Sequence, residues 1–218
     1  MIRALQLSDI IGIAGAAGWT FVLSLLAFVG SAAVGLIMAT LRLSAVTAVR
    51  WTAIVYTQIV QGTPLLVWLF LLYFGVTTLG FNINAWLSVT IAFSVYGGAF
   101  LGEIWFGALK AVPKTQWEAG SSLGLSYLQQ FTRIILPQSV RIAIPPTVGF
   151  AVQLIKNTSL ASTIGVYELT QAGVFIAGAT YRPLAVYSIV ALIYLIICYP
   201  LTRWSRALER KLDVARRS

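Results

Sequence analysis

The stretch from Trp51 to Gly102 contains no charged residue. It is too long for one element of a water-soluble core, and long enough for two crossings of a hydrocarbon layer that about 20 apolar residues span. Uncharged runs from Ile10 to Leu41 and from Pro183 to Thr202 repeat the pattern. Backbone polar groups in lipid must be satisfied internally, and continuous apolar runs without strict alternation do so as helices. Composition agrees. Of 218 residues 59% are hydrophobic and 10% charged, with a mean hydropathy of +0.87. A soluble protein of that balance could not cover its own surface.

These runs predict five transmembrane helices: about residues 18–40, 53–75, 86–109, 138–160 and 183–202. Gly30 and Gly35 in the first suggest close helix packing. Gly80-Phe81-Asn82-Ile83-Asn84 supplies the turn between the second and third. Gly62-Thr63-Pro64 lies inside the second, where Pro64 removes a backbone hydrogen bond and predicts a kink, either for packing or to line a pathway. Residues 1–17 read as an uncleaved lead-in or interfacial helix, because the apolar run after Arg3 and Asp9 is too long for a signal peptide. The mixed segment Ala161 to Arg182 lies between helices four and five, with Glu168 expected outside, solvated or against a soluble partner.

Charge fixes the expected orientation. Five crossings put Arg42, Arg50, Lys110, Lys114, Arg133, Arg141, Arg203, Arg206, Arg210, Lys211, Arg216 and Arg217 on one side, with Arg3 and Arg182 on the other. Twelve against two places the C-terminus in the cytoplasm and the N-terminus outside. The formal charge of +9 therefore reflects membrane topology rather than a nucleic-acid surface. A lone cysteine, Cys198, rules out an internal disulfide, and histidine is absent. No lysine follows a glycine, as a phosphate-cradling loop requires, so ATP hydrolysis by this chain is excluded on its main motif. A metal or hydrolytic site is equally disfavoured with six acids and no imidazole.

One polar interruption divides the hydrophobic sequence, within residues 110–137. Ser126 and Gln129 form a capping box that opens a short helix, which Pro137 is expected to close. Gly120 and Gly124 sit one helical turn apart, a spacing that admits another backbone closely. Glu118-Ala119-Gly120, then Gly124, then Ile134-x-Leu136-Pro137 resembles the EAA-type loop of membrane subunits of ATP-driven (ABC) importers. Gln61-Gly62-Thr63-Pro64-Leu65 and Lys156-Asn157-Thr158-Ser159-Leu160 are similar to the polar amino-acid branch of those permeases. The resemblance runs from about Trp19 to the C-terminus. It implies the type I importer (MetI-like) permease fold in a bacterial inner membrane. It also implies a second permease subunit, identical or not, an extracytoplasmic solute-binding protein and two cytoplasmic ABC ATPase subunits. ATP and magnesium would be held by those ATPases, with no cofactor on this chain. Docking into a groove of the ATPase implies contacts from Glu118, Ala119, Gly120 and Gly124, with Leu136 and Pro137 ending the coupling segment.

The polar end of helix four is the candidate solute pathway. Gln153, Lys156, Asn157 and Leu160 share one face, followed by Thr158 and Ser159. A lysine within a span costs roughly 2.5–3.5 kcal/mol, so it faces a cavity or the bundle interior unless it snorkels to the headgroups. Lys156 suits a carboxylate, while Asn157, Thr158 and Ser159 suit a polar side chain. Some relatives carry an acid at the place of Asn157, so its absence leans away from basic amino acids. Glu103, in the cytoplasmic half of helix three, is a further pathway or gating candidate, with Lys110 its expected neighbour. Many relatives have an arginine in place of Phe106, which leaves the charge balance of Glu103 open. The alternative function is an ion-gradient-driven carrier or channel that needs no ATPase. A purely structural membrane subunit is a third class, for which the polar stripe would be surplus.

Overall fold

The computed structural model describes residues 3–217, with side chains described through Lys211. All regular structure among these residues is helical: α1 (Leu7–Arg42), α2 (Thr47–Gln61), α3 (Leu65–Thr78), α4 (Ala85–Lys110), α5 (Lys114–Ser122), α6 (Tyr127–Ile164), α7 (Leu169–Thr180) and α8 (Pro183–Arg217). The first span begins at Leu7 rather than near residue 18, so among the described residues the expected lead-in is part of α1 itself. Its start is set by Asp9, which accepts from the Gln6 amide at 2.9 Å and pairs with Arg3 at 2.6 Å. The last span likewise continues past residue 202 as one helix into the charged tail.

The seam between α1 and α4 organises the bundle. Gly30 faces Ser94, Ser31 faces Gly97, Val34 faces Gly98, Gly35 faces Leu101 and Met38 faces Gly102. Both numbers rise together, so the two helices run parallel. A Cβ at Gly97 would lie 2.1 Å from Ser31 Oγ, and one at Gly98 would lie 2.3 Å from Val34 Cγ1. Glycine at these positions is what lets the backbones approach, and Ser31 Oγ uses the approach to donate to the Phe93 carbonyl at 3.0 Å. In lipid such packing, rather than burial from water, holds helices together.

Parallel α1 and α4 require the chain between them to cross back. The helices α2 and α3 meet at 101° and together make that crossing, so the chain has five spans. The expected kink in a continuous helix of residues 53–75 is thus a full break. Gly62 caps α2, its amide donating to Gln58 O at 2.9 Å, and Pro64 precedes α3 in an extended conformation. Thr63 stabilises the corner, donating to Ile59 O at 2.5 Å and accepting from Trp68 Nε1 at 2.8 Å.

The fourth span, α6, also begins earlier than residue 138. Pro137 does not close the short loop helix; it lies inside one continuous helix. A widened π turn over Phe131–Ile135 directly precedes it and absorbs the missing amide and the bulk of the ring. The far end of α6 winds into a 3₁₀ turn over Thr158–Ile164. Thr158, Ser159, Ser162 and Thr163 each donate a hydroxyl to the carbonyl three residues back, at 2.7–2.8 Å. Gly165, at φ 80°, then stops it.

Glu168 corrects another expectation. It is fully buried rather than solvated. Its carboxylate caps α7 by accepting from the Gln171 amide at 2.8 Å and takes a hydrogen bond from Tyr194 Oη at 2.9 Å. Thr20 Oγ1 in turn accepts from the Leu169 amide at 3.0 Å. The segment between spans four and five is therefore folded back against α1 and α8. The helix α6 packs antiparallel to α4, with Phe100 and Phe150 stacked at 5.6 Å and Trp105 Nε1 donating to Thr147 at 3.0 Å. It is antiparallel to α8 as well: Ser205 Oγ donates to Pro145 O at 2.9 Å, while Cys198 packs with Val152 and Ile155.

Candidate functional site

The polar segment folds as a compact hairpin of α5 and the first turn of α6. Gly124, at φ 70°, is the left-handed residue that ends α5, and the Leu125 amide closes the turn by donating to Gly120 O at 3.1 Å. Ser126 accepts from the Gln129 amide at 3.4 Å, and Gln129 Oε1 accepts from the Ser126 amide at 2.9 Å, which completes the capping box. Gly120 is buried. A Cβ there would lie 2.9 Å from Gln130 Cγ, so the close approach it permits is to the chain's own α6. Sequence reasoning missed Gln130, whose buried amide donates to Leu125 O at 2.7 Å and Ser121 Oγ at 3.2 Å and pins the two arms.

Outside, this hairpin presents Glu118 and Ala119, both exposed. Beside them stand Leu123, Tyr127 and Leu128, 77%, 73% and 69% exposed. Trp117 stacks on Tyr127 at 5.3 Å and stiffens the surface. Three large apolar residues at the tip of a polar hairpin make an exposed apolar surface. Their spacing in an otherwise polar stretch was the signal available in sequence. Leu136 and Pro137 lie further along α6, both exposed.

The second feature is an open face of α6. Its two buried edges are Val152 and Ile155 toward α8, and Phe150 and Leu154 toward the central core. Between them Pro146, Gly149, Gln153 and Lys156 stay exposed, with Asn157 half-buried beside them. Gln153 Nε2 donates to Asn157 Oδ1 at 3.1 Å. Lys156 and Ser159 also edge a shallow recess of about 350 Å³ against Tyr187 and Tyr194 of α8. The five residues named from sequence do not act alike. Thr158 is fully buried, its hydroxyl turned to the Ile155 carbonyl, and Ser159 Oγ is taken by the Lys156 carbonyl. Gln153, Lys156 and Asn157 keep polar groups facing outward.

Glu103 belongs to neither feature. It pairs with Arg42 of α1, not Lys110. Parallel α1 and α4 bring these two residues to the same end of the bundle. Phe106 stands between two cations, with the Arg42 guanidinium 4.4 Å and the Lys110 ammonium 4.7 Å from its ring. The ring so takes a place between charges that its sequence position alone did not explain.

Residues 31–214 match the family described as binding-protein-dependent transport system inner membrane component. The chain is 40% identical over 194 residues to the probable amino-acid ABC transporter permease protein YckA of Bacillus subtilis, covering 89% of this chain and 86% of that protein. It is 38% identical to the L-cystine transport system permease protein TcyB of the same organism (92% and 86% covered). To the glutamine transport system permease protein GlnP of Escherichia coli the identity is 33% (89% and 90% covered). In three dimensions it superposes on a chain of an amino acid ABC transporter crystallised with histidines, with a TM-score of 0.89 and 27% identity over 96% of this chain and all of that one. The inward-facing MetNI methionine transporter shares the fold at a TM-score of 0.69 and 19% identity, with 90% and 92% of the chains covered. With five helical spans, a hairpin carrying the EAA motif and a match over most of its length, this multi-pass membrane protein belongs to the binding-protein-dependent ABC importer permeases, a family whose members work with ATPase and binding-protein subunits.

Proposed function

We propose that this chain forms half of the translocation pathway of an importer for polar amino acids in a bacterial inner membrane, and that it is driven by ATPases gripping its hairpin. The observation that carries the reading is the open face of α6. Gln153, Lys156 and Asn157 lie between the buried edges Val152–Ile155 and Phe150–Leu154 of α6, inside a span where polar groups facing lipid are costly. A second permease subunit set against this face would enclose it and turn the cost into a water-filled path. Lys156 there meets a solute carboxylate, and Gln153 and Asn157 offer amide donors and acceptors to a polar side chain. No fixed acid lines the face, which favours neutral or acidic side chains over cationic ones.

Coupling enters at the other end. The charge distribution places the hairpin in the cytoplasm. There Glu118, Ala119, Leu123, Tyr127 and Leu128 offer a partner ATPase an apolar surface with one charge. Gly120 and Gly124 shape the hairpin behind that surface. Because α6 runs as one helix from hairpin to open face, through the π turn at Phe131–Ile135 and past Pro145 and Pro146, movement of the first is carried toward the second. ATP and magnesium would act on the ATPase, outside this chain.

Reconstitution of the permease with its ATPase and binding protein in liposomes tests this across labelled amino acids. Saturable uptake of a polar amino acid that needs both ATP and the binding protein is expected. A Leu123→Asp variant should insert normally yet lose uptake by at least about tenfold, roughly 1.4 kcal/mol of coupling. Uptake driven by an ion gradient without ATPase would overturn the reading.

A further inference from the structure

A second cavity lies away from the open face of α6, between the ends of α1, α4 and α6 nearest the hairpin. It measures about 580 Å³, with walls that include Leu36, Leu43, Trp105, Leu109, Ala143 and Val148. Its few polar groups are already used within the protein. Thr40 donates to Ile37 O at 2.8 Å, Ser139 to Leu136 O at 2.9 Å, and Thr147 accepts from Trp105 Nε1 at 3.0 Å. Each of these hydroxyls has a partner within the protein and the rest of the wall is apolar, so the groove suits a largely apolar occupant. That separates it from a path for amino acids.

Its length and its hairpin end narrow the choice. From Leu136 to Val148 the α6 wall covers about 18 Å at 1.5 Å per residue. One leaflet of a hydrocarbon core about 30 Å thick is about 15 Å deep. The lining residues at the hairpin end of the groove are Leu43, Leu109 and Phe131. Lys110 follows Leu109, Arg133 lies two residues past Phe131, and Arg141 follows Val140 further along the α6 wall; all three are exposed and none makes an ion pair among the described residues. The nearest acid on these helix ends, Glu103, is matched by Arg42. A second copy of the permease in the same membrane orientation would bring its own basic residues to the same level, cation against cation. An anionic headgroup would neutralise them.

We propose that this groove is a binding site for an anionic phospholipid of the cytoplasmic leaflet, with one acyl chain between α1, α4 and α6 and the phosphate among Lys110, Arg133 and Arg141. The site rests on the membrane orientation argued above but not on the solute pathway. Occupied, it would brace the root of the hairpin, where α6 leaves the membrane, against the α1–α4 seam.

Native mass spectrometry of the full permease–ATPase complex, delipidated and titrated with phosphatidylglycerol or phosphatidylcholine of matched chains, tests it. Wild type should bind one phosphatidylglycerol at least about tenfold more tightly than phosphatidylcholine, as two or three basic groups near one anionic headgroup allow. The exposed pair Arg133→Gln and Arg141→Gln, which leaves the fold intact, should bring the two affinities within about threefold. Ala143→Phe, which fills the groove, should remove the tight site while leaving the complex assembled. Equal affinity for both lipids in wild type, or unchanged binding in both variants, would overturn the proposal. Loss of the permease dimer on filling the groove would also overturn it, since the occupant would then be a second copy. Amino-acid uptake reads the pathway separately, so the two can fail independently.

Discussion

The α1–α4 seam and the open face of α6 both use small residues, to opposite ends. At the seam, Gly30, Gly35, Gly97, Gly98 and Gly102 are each covered by a neighbour that an added Cβ would strike at 1.9–2.9 Å. On α6, a Cβ at Gly149 would meet only Ser205 Oγ, at 3.7 Å. One surface is complete within the subunit and the other is unfinished. The difference separates the part that holds the bundle as a rigid body from the part that meets something outside it.

Gly98→Leu should show the largest effect, because Val34 Cβ and Cγ1 and the Gly35 amide leave no direction in which the side chain could go. Overpacking of this kind costs about 1–3 kcal/mol, and more where backbone must shift. Thermal unfolding of the purified protein should fall accordingly, or folded protein should fail to accumulate in the membrane. Lys156→Met sharpens the other side of the comparison. It should leave unfolding temperature unchanged or raised, since a cation leaves the span, while uptake drops by about tenfold or more. A seam-like loss of stability in that variant would mean the face is structural. The smallest effect belongs to Glu103→Gln. Its ion pair with Arg42 is half-exposed on the acid side, and the Phe106 ring still covers the arginine. A change below about 1 kcal/mol is expected in unfolding, with uptake little altered.

The five spans, the close packing at Gly30 and Gly35 and the capped hairpin are legible because each has a local cause, whereas Gly97, Gly98 and Gly102 across the seam show their role only once α4 is set against α1. Uncharged length, helix-spaced glycine and the Ser126–Gln129 box carry their meaning within a few turns of chain. What escaped depended on partners distant in sequence or on widened helix geometry. Pro137 reads as a stop until a π turn is allowed for, and Gly62-Thr63-Pro64 reads as a kink because the 101° corner depends on the Thr63 side chain bonding both arms. Glu168 resembled a solvated acid because Tyr194, 26 residues away, and Gln171's amide satisfy it. Proximity along one helix points Glu103 to Lys110, whereas the parallel seam delivers Arg42 from 61 residues away. Of the solute candidates, Thr158 and Ser159 looked available because sequence does not reveal a hydroxyl's commitment to its own backbone.

If the open face of α6 is a solute path, Gln153 borders water inside the assembled transporter. Labelling of a Gln153→Cys variant of the whole complex in liposomes, with a membrane-impermeant thiol reagent, tests it directly, using a Leu192→Cys variant on the exposed apolar surface of α8 as control. Rapid labelling is expected at position 153, changing with ATP and slowing when the transported amino acid is present, with none at position 192. Position 153 as unreactive as position 192, with and without ATP, would place the face against lipid and contradict the account.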